Sequence, residues 1–288
     1  MPNPKRPKRV TETNRGCIFP AFLVWAVFLF LLASCGNNLR DGLTYTGSST
    51  IGENIIPPAF KEFSKRTGAR TGAIDDAGSG KGMEAILSGE SKLGGISRPL
   101  LPDEKRLSLH AVRIGSDGIV VFVNRNNPIR ELSKQQLKAI FTGRIRNWKE
   151  VGGRDERIVV VTEILGEQRA TMLEFQEIVM DGLPYLSDRQ EVDRPAEQVS
   201  ILQNTENAVI SVSAAFAKPG IRAVSINKVF PSRANIRSGS YLITRPLILL
   251  TKGQPKGVEK KFLNFMLSPP GQRIVSTKFV PRRPDKRD

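Results

Sequence analysis

The chain has 288 residues, with 44 Lys and Arg against 28 Asp and Glu, two cysteines and one histidine, and a formal net charge of +16. So few cysteines and histidines exclude a Cys/His zinc site, a disulfide framework and serine–histidine catalysis. The basic balance favours anionic ligands or anionic envelope surfaces.

The N-terminal segment has the order of an export signal. A basic flank is followed by an apolar run from Ile18 to Ala33, and the run ends in Leu-Ala-Ser-Cys at Cys35. This order resembles the lipobox of bacterial lipoproteins. The resemblance implies that residues 1–34 are a cleaved signal peptide and that Cys35 carries lipid. The alternative is an uncleaved signal anchor, and either form exports the residues after Cys35.

Export of the basic part of the chain limits the partners that its positive charge could attract. Residues 1–34 contain five Lys or Arg and one Glu, so the exported part keeps a net charge of +12. We expect a monomer in the cell envelope, lipid-anchored to the membrane on the periplasmic or extracellular side, and no nucleic-acid partner.

Beyond the tether predicted at residues 35–42, strand-like runs alternate with helical ones, which indicates an α/β architecture. A strand near Leu43 leads into a helix from Ile51 to Phe63. Later helices are predicted at 133–143, with Ser133 as N-cap and Gly143 as stop, and at 256–276, interrupted at Pro269-Pro270. Further strands are predicted at 92–100, 109–124, 157–164, 208–217, 221–227 and 241–253. His110 is predicted to be a half-buried strand residue.

Two apolar runs, 118–124 and 245–251, flank a middle segment of about 120 residues. Continuous apolar runs are typical of buried strands. They predict two lobes joined by crossing strands: residues 43–120 plus 246–280 in lobe 1, residues 121–245 in lobe 2, and a basic tail at 281–288. The alternative is that both runs belong to one central sheet.

Two glycine- and hydroxyl-rich loops each lie between a strand and a helix. They could cap the helices, or they could form an anion cradle from outward N–H groups and hydroxyls. Two such loops in one half of the chain favour the cradle, and an arginine nearby offers a charged fork for two oxygens. Neither loop has the Gly-Lys-Ser/Thr of a nucleotide P-loop. The candidate residues are Ser48, Ser49, Thr50, Gly78, Ser79, Gly80 and Arg98.

Several stretches together resemble the PstS-type phosphate-binding proteins of bacterial ABC importers. They are "TGSSTI", "AGSGKGMEAILSGESKLGGISRPL", "DGIVVFVN", "LSKQQLKAIFTGRIRNWKEVGG" and "RPLILLTKG…KKFLNFMLSPPGQRIV", in order over residues 43–277. The resemblance implies a two-lobed periplasmic-binding-protein fold of type II, each lobe a mixed sheet flanked by helices, with a cleft between them. It also implies inorganic phosphate as ligand, a membrane permease as partner, no cofactor and no catalysis.

The resemblance also assigns residues. Ser48, Ser49 and Thr50 match the first anion-contacting loop, and Gly78, Ser79 and Gly80 match the second. Arg98 and Asp117 match a charged pair beside the ligand. There, an Asp117 acceptor would favour a protonated phosphate over sulfate. The alternative for Asp117 is a turn residue in "GSDG".

The sequence departs from the family pattern in the second lobe. Arg169, Ala170 and Thr171 stand where the family has Ser-Gly-Thr, the upstream arginine is missing, and Glu163 and Glu167 lie nearby. We expect Arg169 to take the charge role and Thr171 to supply the remaining hydroxyl. The alternatives are a ligand-altered oxyanion-binding or sensor protein of the same fold, and an extracytoplasmic phosphatase, which would need a base or metal site.

Overall fold

The computed structural model describes residues 42–165 and 169–282. The predicted signal peptide, Cys35, most of the tether, Glu167 and tail residues 283–288 lie outside these ranges. Within the described ranges, no helix is both long enough and apolar enough to cross a membrane.

Most of the strands in the described ranges form one mixed sheet. Its order is β2-β1-β3-β11-β4-β8-β6-β7, with β9 and β12 also paired to β4, while β5 and β10 form a separate pair. The strands are β1 Leu43–Gly47, β2 Thr71–Asp75, β3 Leu93–Ile96, β4 Leu109–Asn124, β5 Glu131–Leu132, β6 Val159–Glu163, β7 Gln190–Val192, β8 Ala208–Ser213, β9 Ile221–Ala223, β10 Ser225–Ile226, β11 Thr244–Lys252 and β12 Val280–Pro281.

Helices cover the sheet, as expected for an α/β chain. The α-helices in the described ranges are α1 Ser49–Asn54, α2 Ile56–Thr67, α3 Ser79–Ser88, α4 Lys134–Phe141, α5 Ala170–Met180, α6 Pro195–Asn204, α7 Arg233–Ser238, α8 Gly257–Leu267 and α9 Pro269–Lys278. Short 3₁₀ turns lie at Glu104–Arg106, Trp148–Val151 and Ala214–Phe216.

Strand β4 is long enough to pair with β11 along its first part and with β8 along its last part. Its first part is antiparallel to β11, with Asp117 opposite Arg245, and its last part is antiparallel to β8, with Ile119 opposite Ser213. The strand is buried from Ile114 onward. The two apolar runs predicted to cross between lobes are therefore neighbours in one sheet, and β4 continues into the second group of strands.

In the part of the chain that the structure describes, the two largest hydrophobic clusters lie along this sheet. One is built from residues 43–114 and 247–279 together with Ala215, and contains the edge-to-face pair of Phe63 and Phe262 with ring centroids 5.2 Å apart. The other is built from residues 119–243 together with Val280. We call them the first core and the second core.

Local turn chemistry explains where several helices begin and end. Ser133 Oγ accepts a hydrogen bond from Gln136 N at 3.1 Å, which confirms the predicted N-cap of α4. The single helix expected from Ile51 to Phe63 is wrong, because the chain forms two helices that meet at Ile55. Two prolines, Pro57 and Pro58, lie in the first turn of α2, where proline is tolerated and the interior of a continuous helix would not accept it.

Candidate functional site

A small cavity lies where loops from several strands meet. Strands β1, β2 and β3 are parallel, so their carboxyl ends and the following loops lie at one edge of the sheet. The second core contributes the end of β6 and the start of α5. The lining residues are Ser48, Ser49, Thr50, Gly78, Ser79, Ser97, Glu163, Arg169, Ala170 and Thr171.

The two sides of the cavity lie close together. Its volume is about 10 Å³, which is room for about one water molecule. A tetrahedral oxyanion is larger, so its entry requires the sides to separate, as the lobes of a hinged binding protein do.

Helices α3 and α5 both begin at this cavity. Their N-cap residues, Gly78 and Arg169, make no side-chain capping bond. The first-turn N–H groups of a helix attract anions, and the helix dipole adds to the effect. Ser48 does not cap α1 either, and its Oγ donates to Ser97 Oγ at 2.9 Å. The local geometry therefore departs from the plain capping interpretation.

Glycines bring α3 against the sheet and so position Ser79. A Cβ on Gly82 would lie 2.7 Å from Gly47 Cα and 2.9 Å from Gly95 O. Gly78 has φ +120°, a conformation that favours glycine. Helix α3 thus starts next to the ends of β1 and β3.

Accepted hydrogen bonds orient the hydroxyls of the cavity. Ser79 Oγ accepts from Ser97 N at 3.2 Å, and Ser97 Oγ accepts from Ser48 Oγ. A hydroxyl has one proton to donate, so one that already accepts within the protein can still donate to a ligand. This side of the cavity therefore offers O–H donors.

Behind the cavity lies Arg245, which the sequence interpretation did not select. Its Nε and Nη2 donate to Asp117 Oδ2 at 3.0 and 2.9 Å, and Ser213 Oγ donates to Asp117 Oδ1 at 2.9 Å. The guanidinium also donates to Thr171 Oγ1 at 3.0 Å and to Thr50 Oγ1 at 3.1 Å. Burial raises the pKa of Asp117, and the Arg245 guanidinium opposes that shift. The only sequence signal for Arg245 is a charged residue within the apolar run "LITRPLILL".

The structure corrects the expected Arg98–Asp117 pair. Arg98 donates to both oxygens of Glu104 at 2.6 Å, and it is not among the residues that line the cavity. Burial raises the pKa of Glu104, but hydrogen bonds from Arg98 and from Leu101 N–H outweigh it and lower the pKa below its ordinary value. Asp117 is likewise behind the cavity, held by Arg245 and Ser213.

The other predicted residues lie at the cavity, with one exception. Ser48, Ser49, Thr50, Gly78, Ser79, Arg169 and Thr171 all line it, whereas Gly80 is buried within α3 and does not. Two charged groups face each other there, because Arg169 Nε lies 3.7 Å from Glu163 Oε2. Among the described residues, the cavity therefore combines O–H donors and helix starts with the Arg169 guanidinium and the Glu163 carboxylate.

A mixed sheet with two cores, carrying a hydroxyl-lined cavity where their loops meet, defines a solute-binding protein of the two-lobed class. The sequence profile of the PBP superfamily domain matches residues 33–270. The chain therefore belongs to the PBP superfamily, with the α/β periplasmic-binding-protein fold of type II, and within it the chain is PstS-like.

Several proteins similar to this chain are named as phosphate-binding or phosphate transport proteins. The phosphate-binding protein PstS of Bacillus subtilis is 27% identical over 276 residues, which is 88% of this chain and 90% of that protein. A candidate substrate-binding protein of a phosphate ABC transporter from Clostridium perfringens, solved with bound phosphate, has TM-score 0.79 and 31% identity over 84% of this chain and 100% of its own. An ABC-type phosphate transport receptor from Vibrio cholerae, at TM-score 0.71 and 24% identity over 84% of this chain, supports the fold.

Proposed function

We propose that the protein captures inorganic phosphate outside the cytoplasm and delivers it to an ABC importer. The observation that carries the proposal is the cavity itself, in which oriented hydroxyls and the starts of α3 and α5 converge. Such donors bind a tetrahedral oxyanion without a metal or cofactor. The phosphate-related descriptions of its relatives support the choice of anion.

Binding would proceed by hinge closure. The anion enters between the first and second cores, and closure surrounds it with Ser79, Ser97 and Thr50 on one side and Arg169 and Thr171 on the other. The permease then recognises the closed form, and no catalytic step is involved. The proposed lobes are residues 43–120 plus 246–280 and residues 121–245.

The proposal places the protein at the membrane through lipid on Cys35. This cysteine lies outside the described residues, so the anchor depends on the Leu-Ala-Ser-Cys sequence. Metabolic labelling with a radioactive fatty acid tests it. We expect label on the unaltered chain and none on Cys35→Ser; label retained by the variant would contradict the anchor.

Equilibrium dialysis of the full chain against radioactive phosphate tests ligand capture. We expect saturable binding that arsenate displaces. Ser79→Ala should weaken binding, whereas the matched control Ser64→Ala should not, because Ser64 contacts Thr71 away from the cavity. Absence of saturable phosphate binding would overturn the proposal.

One observation favours a second candidate. Glu163 places a carboxylate at the cavity, 99% buried, where it would repel a multiply charged anion. A ligand-altered protein of the same fold would then bind another oxyanion, or serve in contacts with other proteins. Dialysis against arsenate and sulfate in parallel distinguishes the two candidates, because only the second predicts an anion preferred over phosphate or none bound.

A further inference from the structure

Arg245 is a fully buried guanidinium at the junction of the two cores. It lies on β11 directly opposite Asp117 of β4, and its side chain and that of Asp117 are 0% exposed. A guanidinium carries five N–H donors in a fixed planar fork. Two of these N–H groups donate to Asp117, and two more donate to the hydroxyls of Thr50 and Thr171.

Those two threonines come from opposite sides of the cavity. Thr50 lies in α1, directly after β1, among the residues of the first core. Thr171 lies in the first turn of α5, among the residues of the second core. A single side chain therefore contacts both sides, and it can do so only while the two sides are close together.

The hydrogen bonds from Arg245 also determine whether the two threonine hydroxyls donate or accept toward a ligand. Each threonine Oγ1 accepts a proton from Arg245, so its own proton must point elsewhere. Within the described ranges, neither Thr50 nor Thr171 donates its hydroxyl proton to a protein acceptor, and both residues line the cavity. Both hydroxyls are thereby left as donors toward a ligand.

We propose that Arg245 is a positioning residue of the anion site, which orients Thr50 and Thr171 as donors toward the anion and joins the two sides of the site. Asp117 neutralises the guanidinium and holds its plane. Arg245 then acts on the anion through two hydroxyls rather than by direct contact. The inference rests on the proposed capture of an oxyanion.

A merely structural role is the competing explanation. A buried ion pair can hold β4 to β11 without influence on the ligand, and its loss would then lower stability alone. The two explanations differ in how mutational effects on binding combine. If Arg245 acts through Thr171, removing both should cost little more than removing one, because coupled residues are not additive.

The test is a double-mutant cycle read by titration calorimetry with phosphate on the full chain. We expect Arg245→Lys and Thr171→Val each to raise the phosphate Kd about tenfold or more, since a hydrogen bond to a charged group is lost or misdirected. Lysine offers a compact charge that cannot span Asp117 and both hydroxyls. The phosphate Kd of the double variant should be within about threefold of the Kd of whichever single variant binds phosphate less tightly.

Two control variants complete the design. Thr171→Ser should restore affinity lost in Thr171→Val, because the hydroxyl returns. Arg222→Lys changes a partly buried arginine that donates to Asn127 O, remote from the cavity, and should leave the Kd unchanged. If Arg245→Lys does not fold, the same cycle is run with Thr50→Val and Thr171→Val, and the inference again requires non-additive effects.

Three results would overturn the inference. The first is an Arg245→Lys variant that has a lower melting temperature but a phosphate Kd within about twofold of that of the unaltered chain. The second is a double variant whose rise in Kd equals the product of the rises in the two single variants. The third is an unaltered chain that binds none of phosphate, arsenate and sulfate, and this result would overturn the proposed function as well.

One further result separates the two proposals. If the unaltered chain binds arsenate or sulfate but not phosphate, the proposed function fails alone, and the cycle is run with that anion.

Discussion

Arg245 and Asp117 face each other across antiparallel strands β11 and β4, with Nη2 2.9 Å from Oδ2 and both side chains fully buried. The pair lies where the two cores meet and directly behind the cavity. Desolvation offsets much of the attraction in a buried ion pair, so such a pair is weak grounds for stability. Its position beside Thr50 and Thr171 is the more informative property.

Breaking this pair should destabilise the fold strongly. Asp117→Asn would leave Arg245 as an uncompensated buried charge and lower the free energy of unfolding by about 3–5 kcal/mol. Urea unfolding followed by circular dichroism measures the change. The control is Asp103→Asn, whose partner Arg106 is 3.5 Å away in an exposed pair. Equal effects of the two substitutions would contradict the burial argument.

An exposed ion pair also connects the two cores. Arg194, which precedes α6, lies 2.6 Å from Asp76, which follows β2. Arg194→Gln should weaken the closed form and raise the phosphate Kd by up to about fivefold, since exposed pairs contribute 0.2–1 kcal/mol. The difference should vanish in high salt. Arg66→Gln, which breaks a pair with Glu62 near the end of α2, is the control. A salt-independent effect would count against this connection.

Glu53 should make stability fall as the pH rises. Burial and the nearby charge of Asp76 raise its pKa, with Arg194 opposing them. A carboxyl with a raised pKa in the folded state contributes stability that is present below its unfolded pKa and lost as pH passes the folded pKa. The melting temperature of the Glu53→Gln variant should therefore rise, relative to that of the unaltered chain, as the pH increases from about 4 to 7. A gain that does not depend on pH would contradict this assignment.

Helix α3 should tolerate no side chain at Gly82. A Cβ there meets the backbone at Gly47 and Gly95, so Gly82→Ala should push α3 off the sheet and displace Ser79. We expect a loss of about 1–3 kcal/mol in unfolding free energy, as for other overpacked positions, and weaker phosphate binding. Gly72→Ala is the control, because there the nearest atom is the side-chain methyl of Thr44 at 3.2 Å and the nearest backbone atom is 3.9 Å away. Unchanged binding by Gly82→Ala would mean that Ser79 does not need this placement.

Local sequence patterns predicted the parts of the site that are themselves local. The strand–glycine–hydroxyl–helix order of residues 46–50 and 77–82 places Ser48 and Ser79 at helix starts, and both line the cavity. Arg169 and Thr171 also line the cavity, but they were expected there from the resemblance to the family's Ser-Gly-Thr loop and not from a local pattern.

Residues that depend on distant contacts were not predictable in this way. Arg245 is 128 positions from Asp117 and is embedded in an apolar strand, so no local spacing connects them. Arg98 resembles a ligand by position, but Glu104, six positions later, engages its guanidinium. The choice between these two arginines needs the strand register of β4 and β11.

The most direct test of phosphate capture is thermal unfolding of the full chain with and without millimolar phosphate, arsenate or sulfate. A ligand at about a thousand times its Kd adds roughly 4 kcal/mol of stability. For a chain of this size that shift corresponds to several degrees or more in the midpoint. We predict a rise with phosphate and with arsenate, which has the same tetrahedral shape and charge. An unchanged midpoint with all three anions would contradict the account.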